Sequence, residues 1–141
     1  CTAESVMRIL KYYNIELSGK KAVVLGRSAV IGKPVSMMLL KENATVTIAH
    51  SKSVNVEEIC READILICAT GKMESVTKDY VNSRQTIIDV GLNYNEVKHK
   101  LCGDVLFDEV EPLVKNITPV PGGVGALTTS ILLNHVVRTI K

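Results

Sequence analysis

What most limits the fold of this chain is a rhythm: short runs rich in Val and Ile recur along it, separated by amphipathic stretches. Residues 21–25 (KAVVL), 44–49 (ATVTIA), 64–69 (DILICA) and 86–90 (TIIDV) are bounded by Gly, Asn or Ser. Such near-continuous apolar runs read as strands buried on both faces, as in a parallel sheet. Between them, 34–42, with Pro34 suited to a first helical turn, and 55–62, with Val56, Ile59, Cys60 and Ala63 on one side, predict helices. A helix over 3–13, capped by Thr2 and striped with Val6, Met7, Leu10 and Tyr13, precedes the first strand, and another over 126–140 closes the chain. This order predicts an α/β fold: a doubly wound parallel sheet with right-handed crossovers and helices on both faces. The polar stretch 93–104 (NYNEVKHKLCGD) predicts a hairpin leaving the sheet.

A chain of 141 residues suits a single domain, here 1–141, burying roughly 70% of its unfolded surface. Seventeen basic against fifteen acidic residues give a net charge of +2, spread along the chain, which leaves no footprint for nucleic acid or a membrane surface. Cys1, Cys60, Cys68 and Cys102 fall at no metal spacing, so reduced thiols, no metal and a cytoplasmic location are the expectation. No apolar run reaches membrane-spanning length, and a first residue of Cys predicts that the sequence begins inside a longer gene product.

The run VVLGRSAVIGKP at 23–34 is a variant phosphate loop: Ser28 stands at the second glycine position of G-x-G-x-x-G, and the final glycine comes one residue late. In a doubly wound, Rossmann-like fold the first strand-to-helix turn faces the crevice at the strand carboxyl ends, where backbone amides and a helix N-terminus attract phosphate. Gly26 then permits the turn, Gly32 lets helix and strand approach, and Ser28 offers both hydroxyl and amide to a pyrophosphate. An ordinary connecting loop is the alternative. A domain selecting NAD carries Asp or Glu after the second strand; this chain has His50-Ser51-Lys52 there and Arg27 in the loop, which favours the 2′-phosphate of NADP.

Six segments, GRSAVIGKP (26–34), ATVTIAHSKS (44–53), ADILICATGK (63–72), IIDVGLN (87–93), GDV (103–105) and ITPVPGGVGALTTSILLNH (117–135), together resemble the methylenetetrahydrofolate dehydrogenase/methenyltetrahydrofolate cyclohydrolase family. The resemblance runs from end to end and implies the NADP-binding lobe of a two-lobed enzyme. In that family methylenetetrahydrofolate in the cleft gives up a hydride to NADP, and water opens the methenyl product to formyltetrahydrofolate. The family's cleft lysine and tyrosine belong to the amino-terminal lobe, so the resemblance implies no catalytic residue in this chain and no turnover by it alone. For the cofactor it implies Gly26, Arg27 and Ser28 at the phosphates and ribose, His50 and Ser51 near the adenosine end, Leu92 along the nicotinamide and Thr128 beside nicotinamide and substrate. Pro121, Gly122, Gly123, Val124 and Gly125 are implied as the loop lining the folate cleft. Ala126-Leu127 departs from the family's commoner Pro-Met.

Asp89 and Asp104 resemble a catalytic carboxylate pair, yet neither has an evident proton to move, and backbone tethering is the expected role. The hairpin at 93–104 is expected to pair with a second copy in a homodimer. Leu127, Ile131, Leu132, Val136, Val137 and Ile140, with the apolar start of helix 3–13, predict bare surface facing the missing lobe. A non-catalytic dinucleotide-binding module stays open as an alternative, as does a shikimate-dehydrogenase-like cofactor lobe, which ADILICATG alone suggests.

Overall fold

The computed structural model describes residues 2–125. In chain order these form α1 (Thr2–Tyr12), β1 (Lys21–Leu25), α2 (Gly32–Lys41), β2 (Thr45–Ala49), α3 (Val56–Arg61), β3 (Ile65–Cys68) and β4 (Thr86–Asp89). There follow β5 (Asn93–Asn95), β6 (Lys100–Cys102), the short α4 (Phe107–Val110) and β7 (Asn116–Ile117), with single 3-10 turns at Lys78–Tyr80 and Glu111–Leu113. The five-stranded sheet runs β2-β1-β3-β4-β7, all parallel, while β5 and β6 pair antiparallel as a separate hairpin.

Each buried strand splits its side chains between two cores, as a period of two requires. Ala22, Val24, Ile65, Ile67 and Ile88 face α1 and α2, meeting Val6, Leu10, Val35 and Leu39. On the other face Val23, Leu25, Leu66, Cys68 and Ile87 meet Cys60 and Ala63, with Val76, Val81, Val105 and Val110. Burying one such Val, Leu or Ile is worth roughly 1.5–3 kcal/mol, so the two faces hold the sheet from both sides. The expected layering, with helices on both faces, is therefore present.

Both helices on the first face stop at an asparagine. After α1, Asn14 (φ 54°) sends its N–H to the Lys11 carbonyl at 3.0 Å and Ile15 N–H reaches Leu10 at 2.9 Å. After α2, Asn43 (φ 69°) bonds Leu40 at 2.9 Å and Ala44 bonds Leu39 at 3.2 Å. These paired bonds are Schellman motifs, with Asn in the left-handed position that Gly more often takes.

Three details depart from expectation. Thr2 is the first residue of α1 rather than its cap. Tyr13 is not part of the α1 stripe: it is 67% exposed and stacks edge-to-face on Tyr12, because the helix has ended one residue earlier. The apolar start of α1 is not bare either, since Ala3 and Val6 are buried against the sheet. The helix expected over 126–140 lies outside the described residues.

Among the described residues Cys60, Cys68 and Cys102 are buried free thiols. Burial pushes the Cys60 thiol up to about 12 and the Cys68 thiol upward as well, so neither is a nucleophile. Among those residues no helix is long and apolar enough to cross a membrane, and no cluster of His, Cys, Asp and Glu could hold a metal ion.

Candidate functional site

Strand order locates the site. The chain leaves β1 to one side to make β2, then crosses to the other side of β1 to make β3, so the direction of winding switches between β1 and β3. Loops leaving the carboxyl ends of two such strands part from each other and open a crevice. Gly26 follows β1 and Ala69 follows β3, and they are in contact: Gly26 has φ 131°, and a Cβ there would run into the Ala69 carbonyl oxygen. Gly32 is equally constrained, since its Cβ would lie 2.5 Å from the Gly26 carbonyl oxygen. Both glycines are needed where sequence spacing placed them.

Between them the loop is closed by Ser28. Its Oγ accepts the N–H of Ile31 at 3.0 Å and of Gly32 at 3.3 Å, and its carbonyl accepts Lys33 N–H at 2.9 Å. The hydroxyl oxygen is thus occupied by the loop itself, and what remains for a ligand is its proton. The amides of Arg27, Ser28, Ala29 and Val30 have no acceptor among the described residues. Four free N–H groups at the positive end of the ten-residue α2 fit a phosphate group.

At the end of β2 the backbone turns at once. His50 N–H donates to Ser53 Oγ at 3.0 Å, Ser53 N–H donates to the His50 carbonyl at 2.9 Å, and His50 Nδ1 accepts Lys52 N–H at 3.2 Å. Ser53 is a shaping residue that the sequence did not single out, although a hydroxyl three residues after a strand end is the available signal. Ser51 and Lys52 are left exposed at the turn, and neither Arg27 nor Lys52 has a carboxylate partner among the described residues. A cationic, acid-free strand end fits a ribose 2′-phosphate.

The remaining residues sit on the same edge. Leu92 follows β4 and is 64% exposed. Pro121–Gly125 follow β7; the Val120–Pro121 bond is cis, Gly122 has φ 106°, and a Cβ on Gly123 would lie 2.5 Å from the Pro119 carbonyl oxygen. Val124 corrects the reading of this loop, for its side chain is 3% exposed and belongs to the core beside Ala3, Val6 and Leu10. It anchors the loop instead of lining a cleft, because the apolar side chain gains more inside the sheet core. Thr128 lies outside the described residues. The loop Ala69–Gly71 went unassigned in the sequence; its place at the winding switch becomes visible only once the strand order is known.

Fold and loop together define a doubly wound α/β domain with a crevice of the dinucleotide-binding type. Within that class the chain belongs to the tetrahydrofolate dehydrogenase/cyclohydrolase NAD(P)-binding domain family, whose profile matches residues 1–141. It is 58% identical over 142 residues to the bifunctional protein FolD of Carboxydothermus hydrogenoformans and 52% identical over 141 residues to that of Clostridioides difficile, covering 100% of this chain in each case. It covers 50% and 49% of those proteins, so the chain spans about half the length of the curated relatives it matches. Among solved structures, the FolD methylenetetrahydrofolate dehydrogenase/cyclohydrolase of Campylobacter jejuni superposes with a TM-score of 0.93 at 42% identity, over 98% of this chain and 49% of that one. The Trypanosoma brucei enzyme, solved with NADP cofactor and an inhibitor, gives 0.89 at 38% identity, over 100% of this chain and 51% of that one.

Proposed function

We propose that this chain, as a single domain over 1–141, is the NADP-binding lobe of a cytoplasmic bifunctional enzyme. The complete enzyme oxidises 5,10-methylenetetrahydrofolate to methenyltetrahydrofolate and hydrolyses that to 10-formyltetrahydrofolate. The observation that carries the cofactor reading is the run of four amides, Arg27–Val30, in front of α2 that have no acceptor among the described residues, with Arg27, Ser51 and Lys52 and no acidic residue at the ribose end. When bound, NADP supplies the hydride acceptor.

This chain's residues then bind and orient. Gly26, Arg27 and Ser28 hold the phosphates, His50 and Ser51 the adenosine end, Leu92 and Thr128 the nicotinamide side, while Pro121, Gly122, Gly123 and Gly125 present backbone to the folate. The folate cleft is completed by an amino-terminal lobe that supplies the lysine and tyrosine. The lobe also forms a homodimer through the β5–β6 hairpin, whose Tyr94, Val97 and Leu101 are exposed.

Hydride transfer needs donor and acceptor held about 3–3.5 Å apart, and a misplacement of 1 Å costs roughly a hundredfold. The 141-residue chain assayed with methylenetetrahydrofolate and NADP should therefore show no turnover, and adding the family's amino-terminal lobe in trans should restore it. Turnover by the chain alone would contradict this reading.

A further inference from the structure

Two buried aspartates at the carboxyl edge have no part in the cofactor reading above. Asp89 ends β4 at 3% exposure, and Asp104 follows β6 at 0%. Asp104 Oδ2 accepts the N–H of Thr70 at 2.7 Å and of Gly71 at 3.2 Å, while its Oδ1 accepts Asn93 Nδ2 at 3.1 Å. Asp89 Oδ1 accepts the N–H of Gly91 at 2.9 Å and of Asp104 at 3.1 Å, and its Oδ2 accepts Val105 N–H at 3.0 Å. The amide of Asp89 donates to Thr118 Oγ1 at 2.9 Å. Together these bonds link the loops after β3, β4, β6 and β7.

The two motifs are reciprocal. A Cβ on Gly91 would run into the Asp104 carboxylate, and a Cβ on Gly103 would run into that of Asp89. Asp89-Val90-Gly91 and Gly103-Asp104-Val105 each therefore supply the carboxylate that the other's glycine leaves room for. Buried carboxylates persist only when paired or hydrogen-bonded, and here backbone amides do the pairing.

The clasp reaches the crevice through Thr70 and Gly71, which follow Ala69, the residue in contact with Gly26. In the order β2-β1-β3-β4, a dinucleotide whose adenosine end lies at β2 extends across β1 toward β3 and β4. The Thr70–Gly71 segment thus stands on the nicotinamide side. We propose that Asp104 is a positioning residue for the dinucleotide, fixing through Thr70 and Gly71 the β3 wall of the crevice. This rests on the cofactor reading.

The test compares NADP with adenosine 2′,5′-bisphosphate, a fragment that reaches β2 and the loop after β1 but lacks the nicotinamide half, by calorimetric titration of the 141-residue chain and its Asp104→Ala and Asp104→Asn variants. Asp104→Ala should bind NADP at least about tenfold more weakly and the fragment within about twofold of the unaltered chain. Asp104→Asn should recover most of the loss, since its amide oxygen still accepts Thr70 N–H and Asn93 can turn its own amide to match. Equal weakening toward both ligands would mean a scaffold role only and would overturn the proposal, as would unchanged NADP binding. Should the alanine variant not fold, the amide resonances of Thr70 and Gly71 in the unaltered chain decide the matter. They should move further on adding NADP than on adding the fragment; equal movement with both ligands, or immobility with NADP, overturns the proposal. If the unaltered chain binds neither ligand, the cofactor reading fails and this inference falls with it.

Discussion

Asp89 shows how a single residue carries opposing demands. Burial is the larger influence and raises its carboxyl to about 6, against the pull of the amides of Val105, Asp104 and Gly91, with the neighbouring Asp104 adding a smaller upward push. A carboxyl raised on folding binds its proton more tightly in the native state. Its stabilising contribution is full below the ordinary value of 3.8 and is lost as pH rises to about 6. In urea unfolding from pH 4 to 7, the stability of the native protein should fall relative to Asp89→Asn over that window and run parallel above it. Parallel curves throughout would refute the account of Asp89. The substitution itself should cost about 1–3 kcal/mol, because its NH2 group faces amide donors. The tethering role was legible in the sequence, since neither aspartate had a proton to move. The pairing of each glycine with the other motif's carboxylate was not, because contacts between Gly91 and Asp104 or Gly103 and Asp89 leave no periodic trace. Val124 misled for a related reason: a valine among glycines in a cleft-like loop looks available until the fold shows the core beneath it.

At the scale of elements, the four Val- and Ile-rich runs became strands within a residue of the expected bounds, but only β1, β3 and β4 are buried on both faces; β2 lies at the sheet edge with Thr45, Thr47 and Ile48 exposed, so the expectation of burial on both faces fails there. β7 escaped notice for want of length: Asn116 and Ile117 alone cannot show a period, and their pairing to Thr86 and Ile87 is decided by the sheet already formed. Helix ends were set by chemistry that the sequence did print. Asn14 and Asn43 occupy left-handed positions where most L-residues are strained and where a short polar side chain is tolerated. Asn43→Ala should therefore destabilise the fold by about 1 kcal/mol, while Asn43→Gly should be neutral or slightly stabilising. Thermal unfolding of both variants checks this; equal losses would show that the Asn side chain, and not the backbone conformation, is what matters there.

For the molecule as a whole, alternation of strand and helix was enough to reach the doubly wound class, but the crevice came from strand order, which no local pattern contains. That order sets His50-Ser51-Lys52, the Gly26 loop and Ala69–Gly71 side by side on one edge. The hairpin stands off this sheet with Tyr94, Val97 and Leu101 exposed, and sedimentation should show a concentration-dependent dimer that Tyr94→Lys weakens. A monomer at every concentration would remove the hairpin from the account of assembly. The central claim, that the edge is built for a 2′-phosphorylated dinucleotide, is tested most directly by titrating NADP and NAD into the unaltered chain and into Arg27→Ala at several salt concentrations. The account predicts tighter binding of NADP, a preference that shrinks with salt, and a loss of about 1–3 kcal/mol for NADP alone in the variant. Equal affinity for the two cofactors, or a preference for NAD, would contradict it.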